Sequence, residues 1–217
     1  RGEISFFKAF IYLDLIRRWG DCVLIRDEVE LKPIGKTSWP KVADHAISLA
    51  REAIRLLPEW DKLKECNGNP VTHRARPCKG AAQAVLAHLC AWKAGCKYMA
   101  LPEDRDYDEQ QLWRAADSAC TAIINRRDIY DLEATPDEVC TKTFVDGGKE
   151  CIFESVFRGY WNEFDEMNES NWTNLGRHYE AYPAITGKKT GDNKKTYYRI
   201  LNSTVREMFK EYTVSNI

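Results

Sequence analysis

The tightest constraint in this chain is a pair of segments built on small residues. From Pro77 to about Met99 an unbroken helical pattern carries Gly80, Ala81, Ala82, Ala84, Ala87, Ala91, Ala94 and Gly95. Small side chains let neighbouring helix backbones approach closely, so such a helix is built to be flanked. A short polar loop follows, Pro102 to Glu109, and then a second pattern over about Gln110–Arg126. Its stripe is Leu112, Ala115, Ala116, Ala119 and Ile123. Two helices joined this way, with alanines facing each other, predict an αα-hairpin of the kind that stacks in helical-repeat proteins. No clean 34-residue period accompanies it, so the prediction rests on pattern.

Two further helices precede the pair. Glu3–Trp19 places Phe7, Ile11 and Leu15 at i, i+4 spacing beside a stripe of Phe6, Phe10 and Leu13. With few polar positions around the wheel, this helix is expected to be buried on most sides. Gly20 stops it, and Cys22–Ile25 follows as a short extended piece. Thr37-Ser38 before Trp39-Pro40 predicts a hydroxyl-capped helix with proline in its first turn. Its apolar face is Val42, Ala46, Ile47, Ala50 and Ile54, and Pro58 closes it. Past residue 128 the character changes. Ile129–Leu132 and Ile152–Phe157 read as short strands, a long irregular stretch follows, and Ser203–Tyr212 reads as a last short helix. The fold class is therefore mainly α: stacked αα-hairpins like those of TPR proteins, with short strands and long irregular loops in the C-terminal third.

Charge and motifs exclude several functions. With 32 basic and 33 acidic residues there is no general positive field for nucleic acid. The apolar run at residues 6–19 is broken by Lys8, Asp14, Arg17 and Arg18 and falls short of a membrane span. It also lacks the layout of a signal peptide. The eight cysteines form no CxxC pair, and His45, His73, His88 and His178 lack ligand spacing, so no metal is expected. Cys78, Cys90, Cys96 and Cys120 are expected as buried thiols, whereas Cys66 and Cys140 lie in loops. No cofactor motif occurs. Glu163, Asp165, Glu166 and Glu169 are carboxylates crowded into a polar stretch, and they read as solvated rather than as a glycosidase pair. The chain reads as non-catalytic.

Four stretches together resemble the SusD/RagB family of outer-membrane nutrient-binding lipoproteins of Bacteroidetes. GEISFFKAFIYLDLIRRWGDCVLI (2–25) is similar to the family's long aromatic helix with its basic pair and aromatic-glycine stop. HRARPCKGAAQAVLAHLCAWKAG (73–95) resembles its R-x-x-KGAA helix, and LWRAADSACTAIINRRDIYDL (112–132) its W-x-x-A…I-I…Y-x-L segment. GKECIFESVF (148–157) resembles its N-K-E-x-I-F-E strand. Val23 stands where proline is usual, and Ser48 where an aspartate is common. No one stretch is specific; their shared order over most of the chain is the signal.

The resemblance implies a single SusD-like domain over 1–217, with a helical-repeat-like core at 1–128 and a loop-rich, ligand-facing part at 129–217. It implies that the chain is an internal fragment of a longer lipoprotein. It also implies capture of a glycan at the cell surface and delivery to a TonB-dependent SusC-like transporter. Membrane attachment would come only through an N-terminal lipid anchor outside these residues. The family has no fixed binding motif, so the site must come from the residues themselves. The aromatics of 158–182, interleaved with amides and carboxylates, suit the apolar faces and hydroxyl rims of sugars. Trp161 and Trp172 lead as stacking residues, with Tyr160, Asn162, Asp165, Asn171, Tyr179 and Tyr182 around them. The alternative is that these aromatics pin a loop. Trp19, Trp39, Trp92 and Trp113 are expected in the core. The competing function is a helical-repeat scaffold for protein partners, with no small ligand.

Overall fold

The structure, a computed structural model, describes residues 1–25, 33–143 and 147–155. These lie in one compact unit, Arg1–Val156. Four helices make it: α1 (Gly2–Trp19), α2 (Trp39–Leu56), α3 (Lys79–Gly95) and α4 (Glu109–Ile124). A one-turn helix, α5 (Pro136–Glu138), runs on into a wide turn at Val139–Thr143. Helix α2 packs on α1 and α3, and α3 packs on α4, while α1 and α3 touch far less. The architecture is two stacked αα-hairpins, α1–α2 and α3–α4, and the mainly α expectation holds.

The connection within the first hairpin carries two short antiparallel strands, β1 (Cys22–Val23) and β2 (Lys36–Thr37), with Cys22 opposite Thr37. Gly20 makes the turn out of α1 at φ 68°, a left-handed conformation that favours glycine. The Tyr12 hydroxyl accepts the Ile25 N–H at 2.9 Å and ties the connection back to α1. Ser38 occupies the position before α2, but its hydroxyl does not cap the helix. The Asp21 carboxylate takes the Trp39 N–H instead, at 2.8 Å. The acid just past the end of α1 thus fixes the start of α2. Asp108 caps α4 by accepting the Gln110 and Gln111 N–H groups.

The core is one cluster. Phe6, Ala9, Leu13 and Ile16 of α1 meet Val42, Ala46 and Ala50 of α2, and Ala82, Leu86 and Leu89 of α3 continue it to Ala116, Ala119 and Ile123 of α4. Every turn of α2 that faces a neighbour carries an alanine, which is why two helices can flank it closely.

Several expectations fail here. Helix α1 is buried on one face only, with Ile4, Phe7, Phe10 and Ile11 exposed, because α2 and α3 both lie to one side of it. Trp19 is 66% and Trp113 49% exposed, so neither is a core residue, whereas Trp39 is buried. Cys120 is exposed on the outer side of α4, while Cys78 and Cys90 are buried. Ile129–Leu132 and the described part of Ile152–Phe157 are not strands. Their apolar residues are drawn to the core singly, and their backbone bonds go to scattered partners: the Asp131 N–H to the Lys149 carbonyl, and the Glu154 N–H to the Arg74 carbonyl. The helix predicted at Ser203–Tyr212 lies outside the described residues.

Candidate functional site

One stripe of α1 borders the space toward α3: Phe6, Phe10, Leu13 and Arg17, at i, i+4, i+7 and i+11. One stripe of α3 faces it: Ala81, Ala84, Val85, His88, Ala91 and Trp92. Between them runs a groove in two connected parts, sharing Leu13 and His88. Its length along α1 is about 16 Å, from about 1.5 Å of rise per residue. The small residues of α3 make the groove, because an alanine wall leaves open the space that a leucine would fill.

The wider part holds a cavity of about 640 Å³. That lies in the range of small-ligand sites. Its third wall is Val139, Thr143 and the segment Glu150–Ser155. Phe153 anchors that wall against α1, its ring 5.0 Å from Phe6 and 5.9 Å from Phe10, both edge to face. Phe6 and Phe10 stack at 6.0 Å with planes 13° apart. The narrower part, about 320 Å³, is lined by Arg17, Ala91, Trp92 and Cys96 besides the two shared residues. The Arg17 guanidinium lies over the Trp92 ring at 5.5 Å.

The third wall is held from behind by Arg74. Its backbone N–H donates to Glu154 Oε1 at 2.8 Å. Its guanidinium is buried between the rings of Trp60 and Tyr130, at 4.8 and 5.0 Å, and donates to the Ile129 carbonyl. Tyr130 fills the space over Gly80, where an added Cβ would come within 2.9 Å of the ring edge. Burial, with the Cys78 thiol 3.2 Å away, keeps the Tyr130 phenol well above its ordinary range. Burial also pushes the Cys151 thiol up, and the adjacent Glu154 carboxylate adds to it. Neither group is primed for chemistry. Just before α3, Arg76 clasps Glu3 at the start of α1 through Nη2 at 2.6 Å and Nε at 3.2 Å.

These contacts explain the four stretches that carry the family resemblance. Glu3 of the first, Arg74, Arg76 and Gly80 of the second, Tyr130 of the third and Glu154 of the fourth interlock with one another. They brace the scaffold, and the groove lies in front of them.

The sequence-predicted site residues Tyr160, Trp161, Asn162, Asp165, Asn171, Trp172, Tyr179 and Tyr182 lie outside the described residues. Trp92, expected in the core, instead lines the groove, half-buried. Arg17, His88, Phe10 and Phe153 were not singled out as binding residues by the sequence. The stripe at i, i+4, i+7 and i+11 on α1 was the available signal, and it reads equally well as a core face. Among the described residues, no group of His, Cys, Asp and Glu is placed to hold a metal ion. Among them, too, no helix is long and apolar enough to cross a membrane.

Two solved structures share this architecture. One is a SusD-like protein from Bacteroides fragilis NCTC 9343, 18% identical, with a TM-score of 0.52, covering 72% of this chain and 27% of its own. The other is a SusD-like carbohydrate-binding protein from the same organism, also 18% identical at a TM-score of 0.52, covering 70% of this chain and 26% of its own. The fold is thus a SusD-like one. The chain spans about a quarter of the length of these proteins. No family model and no curated protein matches the sequence.

Proposed function

We propose that this chain belongs to a non-catalytic glycan-capturing protein of the bacterial outer-membrane surface. It would pass oligosaccharide to a TonB-dependent SusC-like transporter. The observation that carries the reading is the shared fold of two stacked hairpins, one of whose solved examples is a carbohydrate-binding protein. The groove between α1 and α3 supports it. Its aromatic edges and few polar groups match the mix of apolar and hydroxyl surface on a sugar. Trp161 and Trp172 stay in the proposal on their chemistry alone, as a second source of stacking faces. Attachment to the membrane would be by a lipid anchor upstream of these residues.

Affinity electrophoresis of the chain in gels containing a panel of neutral and acidic polysaccharides tests this. Retardation by at least one polysaccharide is expected. Unaltered mobility in all of them contradicts the reading.

A second reading is a scaffold for protein partners. The exposed Ile4, Phe7 and Ile11 on α1 favour it, because they form an apolar face on the outer side of that helix. On that reading no polysaccharide retards the chain.

A further inference from the structure

The two ends of the groove differ in charge. At the wide end stand two carboxylates, Glu154 and Glu150. Glu154 accepts the Arg74 N–H at 2.8 Å, and Glu150 accepts the Glu133 N–H at 2.7 Å. At the narrow end the only charged lining group among the described residues is Arg17. Its neighbour in the stripe of basic residues, Arg18, is paired with Asp14 at 2.8 Å. Arg17 itself has no carboxylate within ion-pair distance among the described residues. It is an exposed residue whose guanidinium lies over the Trp92 ring. Stacking fixes the plane of a guanidinium and leaves its edge open for two parallel hydrogen bonds, the arrangement that suits a carboxylate. His88 stands exposed at the junction of the two parts, about two turns of α3 after Ala81.

We infer that the α1/α3 groove takes an acidic glycan, with a sugar carboxylate on Arg17 and neighbouring rings along Phe10 and Phe153 toward the wide end. This rests on the glycan reading above and adds to it a location and a substrate class. The charge asymmetry carries the choice. A neutral sugar would leave the Arg17 fork without a partner at the point where the groove narrows. A cationic one would meet an unpaired guanidinium.

The test is titration calorimetry of the chain with matched oligosaccharides: uronic-acid oligomers and their carboxyl-reduced, neutral counterparts. Three proteins are compared: the wild type, Arg17→Gln and Ala84→Phe. Arg17 is exposed, so its replacement leaves the melting temperature unchanged and reports on binding alone. The expected result is that an acidic oligomer binds at least about tenfold more tightly than its reduced counterpart. That preference disappears in Arg17→Gln and shrinks with added salt. Ala84→Phe, which puts a ring into the groove wall, weakens both forms.

Equal binding of acidic and neutral oligomers, or a preference untouched by Arg17→Gln, overturns the acidic-glycan inference and leaves the glycan reading standing. Binding untouched by Ala84→Phe overturns the location. Failure of every oligomer to bind overturns the inference, and the glycan reading itself falls only if the polysaccharide panel also leaves the chain's mobility unaltered.

Discussion

Arg74 and Glu154 exchange hydrogen bonds across 80 residues of chain. The Arg74 N–H donates to the Glu154 carboxylate at 2.8 Å, and the Glu154 N–H donates to the Arg74 carbonyl at 3.1 Å. The carboxylate therefore fixes the third wall of the groove from the rear. Glu154→Ala leaves the part-buried Arg74 N–H without its acceptor, a loss of about 1–3 kcal/mol. The expected outcome is a lower urea midpoint and faster amide exchange over residues 147–155. An unchanged midpoint would show that the wall is held by Phe153 alone.

Gly80 and Tyr130 form the second brace. An added Cβ at Gly80 would come within 2.7 Å of the Tyr130 Cζ, so one of them must move. Gly80→Ala should destabilise by about 1–3 kcal/mol, the usual cost of overpacking. Because the two residues touch, Gly80→Ala with Tyr130→Ala should cost less than the sum of the single changes. Strict additivity in chemical denaturation would place the strain elsewhere.

Lys93 is buried and salt-bridged to Asp44 at 2.5 Å, with its ammonium 4.3 Å above the Tyr107 ring. Asp44 itself is 61% exposed, so the two partners are not equivalent. Asp44→Ala strands a charge in the interior and should cost about 1–3 kcal/mol. Lys93→Met leaves only a solvated carboxylate behind and should cost less. The reverse order in thermal melts would show that the attraction outweighs desolvation at this site.

Acid should weaken the fold in a defined window. Lys41 beside Asp104 holds that carboxyl below its usual range, and Arg126 does the same for Asp128. Ser5, with Arg1 adding to it, lowers Glu52. A group whose pKa is depressed in the folded state stabilises above its unfolded value, near about 4, and that stabilisation fades as pH falls through the folded value. Urea midpoints should therefore hold steady from neutral pH to about 5 and fall below about 4. Asp104→Asn should be less stable at pH 7 and show a shallower acid fall. A parallel fall in wild type and variant would clear this pair of a role.

Thiol chemistry should follow burial. Cys66, Cys120 and Cys140 are exposed, while Cys78 and Cys90 are buried, and burial pushes the Cys90 thiol up. Iodoacetamide should modify the first three long before the last two. Peptide mass mapping over time checks the order.

Periodicity and small-residue spacing were enough to read four helices and the second hairpin, because alanine at facing positions states directly that helices approach. The partner of α2 was less legible, since the pairing of α1 with α2 runs through a connection whose key group is one side chain, Asp21. The segments near Ile129 and Ile152 misled because β-branched and aromatic runs suit strands, whereas these are held by side chains from Arg74 and Glu150. The groove was hidden for a simpler reason. Phe6, Phe10, Leu13 and Arg17 form the same stripe whether the opposing helix touches them or stands off, and spacing along one helix carries no distance to the next.

The groove is the centre of this account, and amide chemical-shift mapping tests it most directly. The labelled chain is titrated with the acidic and neutral oligosaccharides that retard it in gels. Shifts are expected to cluster on Phe10, Leu13, Arg17, His88, Trp92 and Phe153, the two facing stripes and the wall between them. Shifts confined to the outer faces of α2 and α4, with these residues unmoved, would contradict it.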